Sequence, residues 1–219
     1  MSEHDVYQQR YLAHIARKRR AIGLDAGVRS FWDVIVTRHS QRTFTGRALE
    51  SHVMDAIYEA TRLAPSSCNR QAIVVRPLDH EHGEGLASLL VGGAGWLDGA
   101  AVVLLLFADM KAYKSPAEVD FMPYLDAGFV AQSIYLVAEA LGVGACFVNP
   151  NIREANKEVF NKEYNQAGLR LCGAMALGYY DVRGPESPKR GGRRDILPRG
   201  CAMKATRTMD LWKKETKCT

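Results

Sequence analysis

The sequence predicts an α+β fold in which a central mixed β-sheet is flanked by helices. Three observations carry that expectation. Four short runs are aliphatic or β-branched (Ala72–Leu78, Ala101–Phe107, Ala145–Val148 and Leu171–Leu177), and helix-period segments lie between them, the longest from Pro123 to about Leu141. The composition is that of an ordinary globular chain: 219 residues, 47% hydrophobic and 24% charged, with 19 Gly and 8 Pro. That balance excludes a disordered, collagenous or coiled-coil protein. A chain of this size buries roughly 70% of the surface it exposes unfolded, so one core needs neither metals nor disulfides.

Residues 6–36 read as helical, with Tyr7, Tyr11, Ile15, Phe31, Val34 and Ile35 at three- and four-residue steps and interruptions near Gly23 and Gly27. The basic run Arg17–Arg20 falls inside this segment and reads as a solvated face sooner than as a nucleic-acid or lipid contact. From Leu49 to Leu63 the apolar positions Leu49, Val53, Ala56, Ile57 and Ala60 mark one face of an amphipathic helix. Ala64-Pro65 stops it, because proline pushes the preceding residue out of the α region. Ala72–Leu78 is a strand, and Ala101–Phe107, apolar at every position, is a central one. Between them lie a short helix and Gly92-Gly93-Ala94-Gly95, which lacks the spacing of a dinucleotide-binding loop and reads as a plain turn.

Pro123 suits the first turn of the long helix. Ala127, Val130, Ala131, Ile134, Val137, Ala138 and Leu141 form its wide apolar face, which fits either the chain's own core or a second copy in a dimer. Asp120, Tyr124 and Asp126 fit either a substrate lid before the long helix or, preferred, a helix start whose acids suit the dipole. Ala145–Val148 and Leu171–Leu177 are two further strands with a helix between about Arg153 and Tyr164, and beyond Gly178 the chain turns glycine-rich, proline-rich and basic. The expected organisation is an N-terminal helical extension over 1–29, one domain over 30–200 and a C-terminal arm over 201–219.

Twenty-nine Lys and Arg against 24 Asp and Glu give a net charge of +5, which favours anionic ligands and is too small an excess to specify nucleic acid. Cys68, Cys146, Cys172, Cys201 and Cys218 are odd in number and widely spaced, without a CxxC pair, as reduced thiols of a cytoplasmic protein would be. The N-terminus is charged where a signal peptide is apolar, and the longest apolar stretch, Gly99–Ala108, is about half of the ~20 residues that span a bilayer. No membrane, nucleic-acid or metal partner is expected.

Three segments could carry chemistry. Arg38-His39-Ser40-Gln41-Arg42-Thr43-Phe44 places two guanidiniums, an imidazole and a hydroxyl within five residues, a donor set for phosphate; alone it would equally be a solvated helix end. Ala64-Pro65-Ser66-Ser67-Cys68-Asn69-Arg70-Gln71 offers short polar side chains to a flat heterocycle, though alone it is an ordinary helix-to-strand turn. Cys68 lacks a paired His and reads as a turn residue, not a nucleophile. Lys189-Arg190-Gly191-Gly192-Arg193-Arg194 would complete an anion site or form a solvated loop.

Taken in order with Leu141-Gly142-x-Gly144, Ala176-Leu177-Gly178-Tyr179 and Pro188-Lys189-Arg190, these segments resemble the nitroreductase family of FMN-dependent oxidoreductases over about residues 30–197. The resemblance implies a homodimer with FMN at the subunit interface and terminal arms that embrace the partner. Arg38 and Ser40 match positions that hold the phosphate and ribityl chain, with His39 a neighbouring contact. Arg42 matches the cation near the flavin N1/O2 edge. Pro65, Ser66, Ser67 and Asn69 look like the partner's loop along the ring system, and Lys189 and Arg190, with Arg193 as a register alternative, look like late phosphate ligands.

Two departures stand out. The family's Gln-Pro-Trp is here Gln71-Ala72-Ile73, and the N–H donors near N5 map to Asn149 and to Pro150, which has none. The implied activity is ping-pong electron transfer from NADH or NADPH through FMN to a nitroaromatic, quinone or similar small planar acceptor. Two alternatives remain: another flavin chemistry on the same fold, such as reductive dehalogenation or dehydrogenation of a small metabolite, and a non-enzymatic basic binding module.

Overall fold

The computed structural model describes residues 31–79, 90–163 and 168–181. The chain divides into two units, Met1–Arg183 and Gly184–Thr219, the second wholly outside the described residues. The Arg17–Arg20 run, the short helix expected after the first strand, and Lys189, Arg190 and Arg193 also lie outside them.

The described elements are α1 (Phe31–Thr37), α2 (Ser51–Leu63), β1 (Ile73–Asp79), β2 (Val102–Asp109), α3 (Met122–Ala140), β3 (Gly144–Val148), α4 (Lys157–Glu163) and β4 (Leu169–Gly178). Of the helical segment expected over 6–36 only Phe31–Thr37 lies among the described residues; the other described helices and strands appear within a few residues of their predicted ends, and Gly92–Gly95 falls in short turns as expected. The strands form one sheet in the order β1-β2-β4-β3. All three pairings are antiparallel, and the parallel component expected of a mixed sheet is confined to one bridge, Ser40 to Ala145. Residue patterns reveal that a strand is buried on both faces; they do not encode which way its neighbour runs.

Burial on both faces makes β2 the middle of the core. Leu104 and Leu106 join Met175 and Leu177 of β4 against Val53 and Ile57 of α2 and Val130, Ala131, Ile134 and Ala138 of α3. On the opposite face, Val103, Leu105 and Phe107 meet Ala174 and Ala176, Leu90, Leu97 and Phe160 of α4. Removing a side chain such as Leu105 from water contributes about 1.5–3 kcal/mol. The alanine-rich face of α3 is therefore the chain's own core, which settles one of the two readings of that face. A second apolar face of α3 points outward, with Leu125 50% and Phe129 46% exposed.

Candidate functional site

The site begins where α1 ends. After the last helical bond, Arg38 N–H to Val34 O at 2.9 Å, the chain extends along the free edge of β3. Gln41 N–H donates to Ala145 O and Thr45 N–H to Tyr179 O, both at 2.9 Å, so the edge groups of the sheet end are paired by this segment. Two glycines make room for it. Gly144 and Gly178 face each other across β3 and β4. A methyl group on Gly144 would lie 2.8 Å from Gln41 Cγ, and one on Gly178 would lie 2.9 Å from Phe44 Cδ1 and 3.2 Å from Ala101 N. The Gly-x-Gly and Ala-Leu-Gly motifs therefore share one physical reason: together they floor the groove that holds residues 41–44.

Side chains from this strip reach three neighbours. The Arg38 guanidinium lies 4.9 Å from the centre of the Tyr135 ring, and Ser40 Oγ is 3.1 Å from the Tyr135 hydroxyl. That hydroxyl also accepts from Phe147 N–H at 2.6 Å. Burial pushes the Tyr135 phenol above its ordinary value, with the Ser40 bond pulling the other way. Burial likewise raises the neighbouring Cys146 thiol, opposed first by the Arg42 charge. His39 places Nδ1 3.1 Å from Thr37 O and meets Tyr180 edge-on at 5.8 Å. Arg42, exposed, stands 5.9 Å over Trp96. Trp96 Nε1 donates to Gly92 O at 3.0 Å, and a methyl group on Gly92 would touch Asn149 Nδ2 at 3.2 Å. Arg38, Ser40, Arg42 and Asn149 thus belong to one connected surface at the β3 side of the sheet. Asn149 Oδ1 accepts from Asn151 N–H at 3.1 Å, which fixes the turn where Pro150 contributes no donor.

The second segment, Pro65–Gln71, is built differently. Cys68, Asn69 and Gln71 adopt φ of 51°, 53° and 52°, a left-handed conformation that costs non-glycine residues of order 1–3 kcal/mol each. The turn persists because its surroundings hold it. Ser66 Oγ accepts from Gln71 N–H at 2.9 Å, Ser67 N–H donates to Asp126 Oδ1 at 2.8 Å, and Arg70 pairs with Glu118 at 3.0 Å. Asp126 is fully buried and also accepts from the Tyr113 hydroxyl at 2.8 Å. This corrects the expectation that Asp126 serves a helix start: α3 has no acid in its first turn, and the carboxylate is a buried anchor of the strained turn.

The two segments are anchored at different points of α3. One leans on Tyr135 and the other on Asp126, about 13 Å apart along α3 at roughly 1.5 Å per residue. Sequence reasoning missed Tyr135 and Trp96. The signal for Tyr135 was a hydroxyl inside an otherwise apolar helix stretch; Trp96 follows a glycine turn and carried none. Among the described residues, no group of three or more His, Cys, Asp or Glu could hold a metal ion, and no helix is long and apolar enough to cross a membrane.

Cysteine exposure gives a direct check of this geometry. Cys68 is exposed, whereas Cys146 and Cys172 are buried, and burial lifts the Cys172 thiol to about 11. Peptide mapping after iodoacetamide treatment at neutral pH should find Cys68 alkylated in the native protein and Cys146 and Cys172 only after unfolding. Native alkylation of Cys172 at the rate of Cys68 would contradict the burial described.

The sequence profile of the nitroreductase family matches residues 76–179. A Bacillus subtilis protein named FMN reductase (NAD(P)H) is 31% identical over 124 residues, a match spanning 50% of this chain and 50% of that relative. The chain therefore spans about half the length of this relative. An Archaeoglobus fulgidus protein that carries the name NADH dehydrogenase/NAD(P)H nitroreductase is 31% identical over 150 residues, covering 67% of this chain and 83% of its own. The crystal structure of a Desulfovibrio desulfuricans protein, described as a nitroreductase in complex with FMN, superposes with a TM-score of 0.60 at 25% identity over 72% of this chain and 92% of that one. The groove floored by Gly144 and Gly178 lies within the matched residues, and on this agreement of sequence profile and relatives the chain belongs to the nitroreductase family.

Proposed function

We propose that the chain is an FMN-dependent oxidoreductase that takes electrons from NADH or NADPH and passes them, in a ping-pong cycle, to a nitroaromatic, quinone or similar planar acceptor. The observation that carries this reading is the connected donor surface of Arg38, Ser40, Arg42 and Asn149 beside the β3 groove. Its chemistry fits the cofactor: two guanidiniums and a hydroxyl suit a phosphate monoester and a polyol, and an amide at the far end suits a heterocycle edge. When bound, FMN supplies two-electron exchange between a nicotinamide and an acceptor.

The chain's own residues bind and bias. Arg38 and Ser40 hold the phosphate and ribityl oxygens, with His39 beside them. Arg42 would place a positive charge where reduction adds negative charge, and the Trp96 ring lies 5.9 Å from that guanidinium. Asn149 offers a single N–H near N5, because Pro150 has none. Lys189 and Arg190, with Arg193 as the register alternative, are phosphate ligands by the family resemblance alone, since they lie outside the described residues.

Pro65, Ser66, Ser67 and Asn69 serve the other subunit's cofactor in a homodimer. The distance along α3 between the two segments supports this arrangement, as does the exposed apolar face of Phe121, Tyr124, Leu125 and Phe129, which a second copy would cover. The protein is expected in the cytoplasm, without nucleic-acid or membrane partners. Pro150 favours one second reading, reductive dehalogenation or dehydrogenation of a small metabolite on the same flavin site.

The test is direct. Purified protein should be yellow and dimeric, bleach under NADH or NADPH without oxygen, and regain colour on adding a nitroaromatic or a quinone. A colourless monomer that takes up no FMN sinks the reading, and a yellow protein reoxidised only by halogenated phenols selects the second one. Arg42→Ala should lower the flavin midpoint potential by about 20–40 mV, the equivalent of roughly 1–2 kcal/mol for two electrons. A potential equal to wild type would remove Arg42 from the flavin edge.

A further inference from the structure

We infer that Tyr135 is a positioning residue which sets the hydrogen-bond polarity of Ser40, so that Ser40 presents its proton, and Arg38 its guanidinium, to the anionic oxygens of the cofactor. The inference rests on the FMN reading above and goes beyond it to a residue outside the donor set.

The polarity is biased, not imposed, by one bond whose direction cannot reverse. Phe147 N–H is a donor only, and it donates to the Tyr135 hydroxyl at 2.6 Å. The phenol has a single proton to give, and Ser40 Oγ lies 3.1 Å away. When the phenol donates to Ser40 Oγ, the serine proton is left free to point away from α3, toward a ligand acceptor. The Cys146 sulfur is within hydrogen-bond reach of both Tyr135 and Ser40 and competes for either proton, but sulfur is a weak acceptor, so a ligand oxygen beside Ser40 outcompetes it for the serine proton. An anionic oxygen beside Ser40 strengthens the outward direction, because each bond in such a chain polarises the next.

The same ring serves Arg38. Its guanidinium lies 4.9 Å from the ring centre, so stacking limits its freedom before any ligand arrives. Tyr135 therefore couples three parts of the site: the edge of β3 through Phe147, the extended strip through Ser40, and the end of α1 through Arg38. The parallel bridge between Ser40 and Ala145 fixes the register that brings Ser40 to the phenol.

A double-mutant cycle on FMN affinity tests this, read as quenching of flavin fluorescence on titration into apoprotein. Tyr135→Phe keeps the ring under Arg38 and removes the hydroxyl. Tyr135→Phe and Ser40→Ala should each weaken FMN binding about tenfold, and the double variant no more than Ser40→Ala alone, because one residue acts through the other. A purely structural role for Tyr135 predicts independent losses that multiply to about a hundredfold, and that result overturns the inference, as does unchanged affinity in either single variant.

Should Tyr135→Phe fail to fold, 3-fluorotyrosine at position 135 keeps both bonds and is a better donor. It should tighten FMN binding two- to threefold with Ser40 present and leave Ser40→Ala unaffected; equal effects in both backgrounds overturn the inference. The failures are separable. Wild-type protein that binds no FMN sinks the cofactor reading, whereas wild-type binding with multiplying losses sinks the role of Tyr135 alone.

Discussion

Asp126→Ala should lower the melting temperature by about 5–15 °C. The carboxylate is fully buried and accepts from two donors, Ser67 N–H and the Tyr113 hydroxyl, each at 2.8 Å. Alanine leaves both donors in the interior without an acceptor, at about 1–3 kcal/mol each. For a chain of this size each kcal/mol moves the midpoint by roughly 2–4 °C. Asp126→Asn retains one carbonyl oxygen but turns an NH₂ toward the second donor, so it should fall between alanine and wild type. Tyr113→Phe removes one donor and leaves the carboxylate its bond to Ser67, so its loss should be smaller than that of Asp126→Ala. Burial and the Asp126 bond both push the Tyr113 phenol above its usual value, which keeps it a donor across the neutral range. Calorimetry at neutral pH measures all three variants. An Asp126→Ala midpoint within about 2 °C of wild type would mean that the Ser67 turn is held by other contacts.

The same residue shows how far the sequence could be read. The helix that carries Asp126 was legible, because a 3.6-residue apolar period and a proline in its first turn depend only on neighbours in the chain. The role of the carboxylate was not, because its partner Ser67 lies 59 positions earlier and no local pattern joins them. β2 was legible for the opposite reason: a strand buried on both faces is apolar at every position, whichever way its neighbours run. Strand direction was illegible, because the long connections between β1 and β2 and between β2 and β4 are compatible with either direction; both pairings are antiparallel.

The donor strip stands between these cases. Arg38, Ser40 and Arg42 were visible as a cluster of cations and a hydroxyl within five residues. What holds them was hidden, since Tyr135 lies 95 positions from Ser40 and Trp96 lies beyond a turn that carries no motif. Gly144 and Gly178 were visible as marks of a family resemblance. Their function emerged only with the register that sets one opposite the other beneath residues 41–44.

Arg38→Ala should weaken FMN binding by roughly ten- to a hundredfold, and the loss should depend on the phosphate. A hydrogen bond to a charged group contributes about 1.5–3 kcal/mol, and each 1.4 kcal/mol is tenfold in affinity. Riboflavin lacks the phosphate, so its affinity should change by only about twofold if Arg38 contacts that group. Arg38→Lys separates charge from geometry. A lysine keeps the charge but cannot donate in a planar fork or stack on the Tyr135 ring as a guanidinium does, so it should recover only part of the lost affinity. The recovered part should shrink as salt is raised, because point-charge attraction is screened, whereas the deficit from lost bidentate contacts should persist. Equal losses for FMN and riboflavin would move Arg38 from the phosphate to the ring system, and the cation at the phosphate would then have to come from another segment. Unchanged FMN affinity would leave Arg38 as a cation stacked on Tyr135 for stability alone, and Arg38→Ala would then lower the melting temperature while flavin content stayed at wild type.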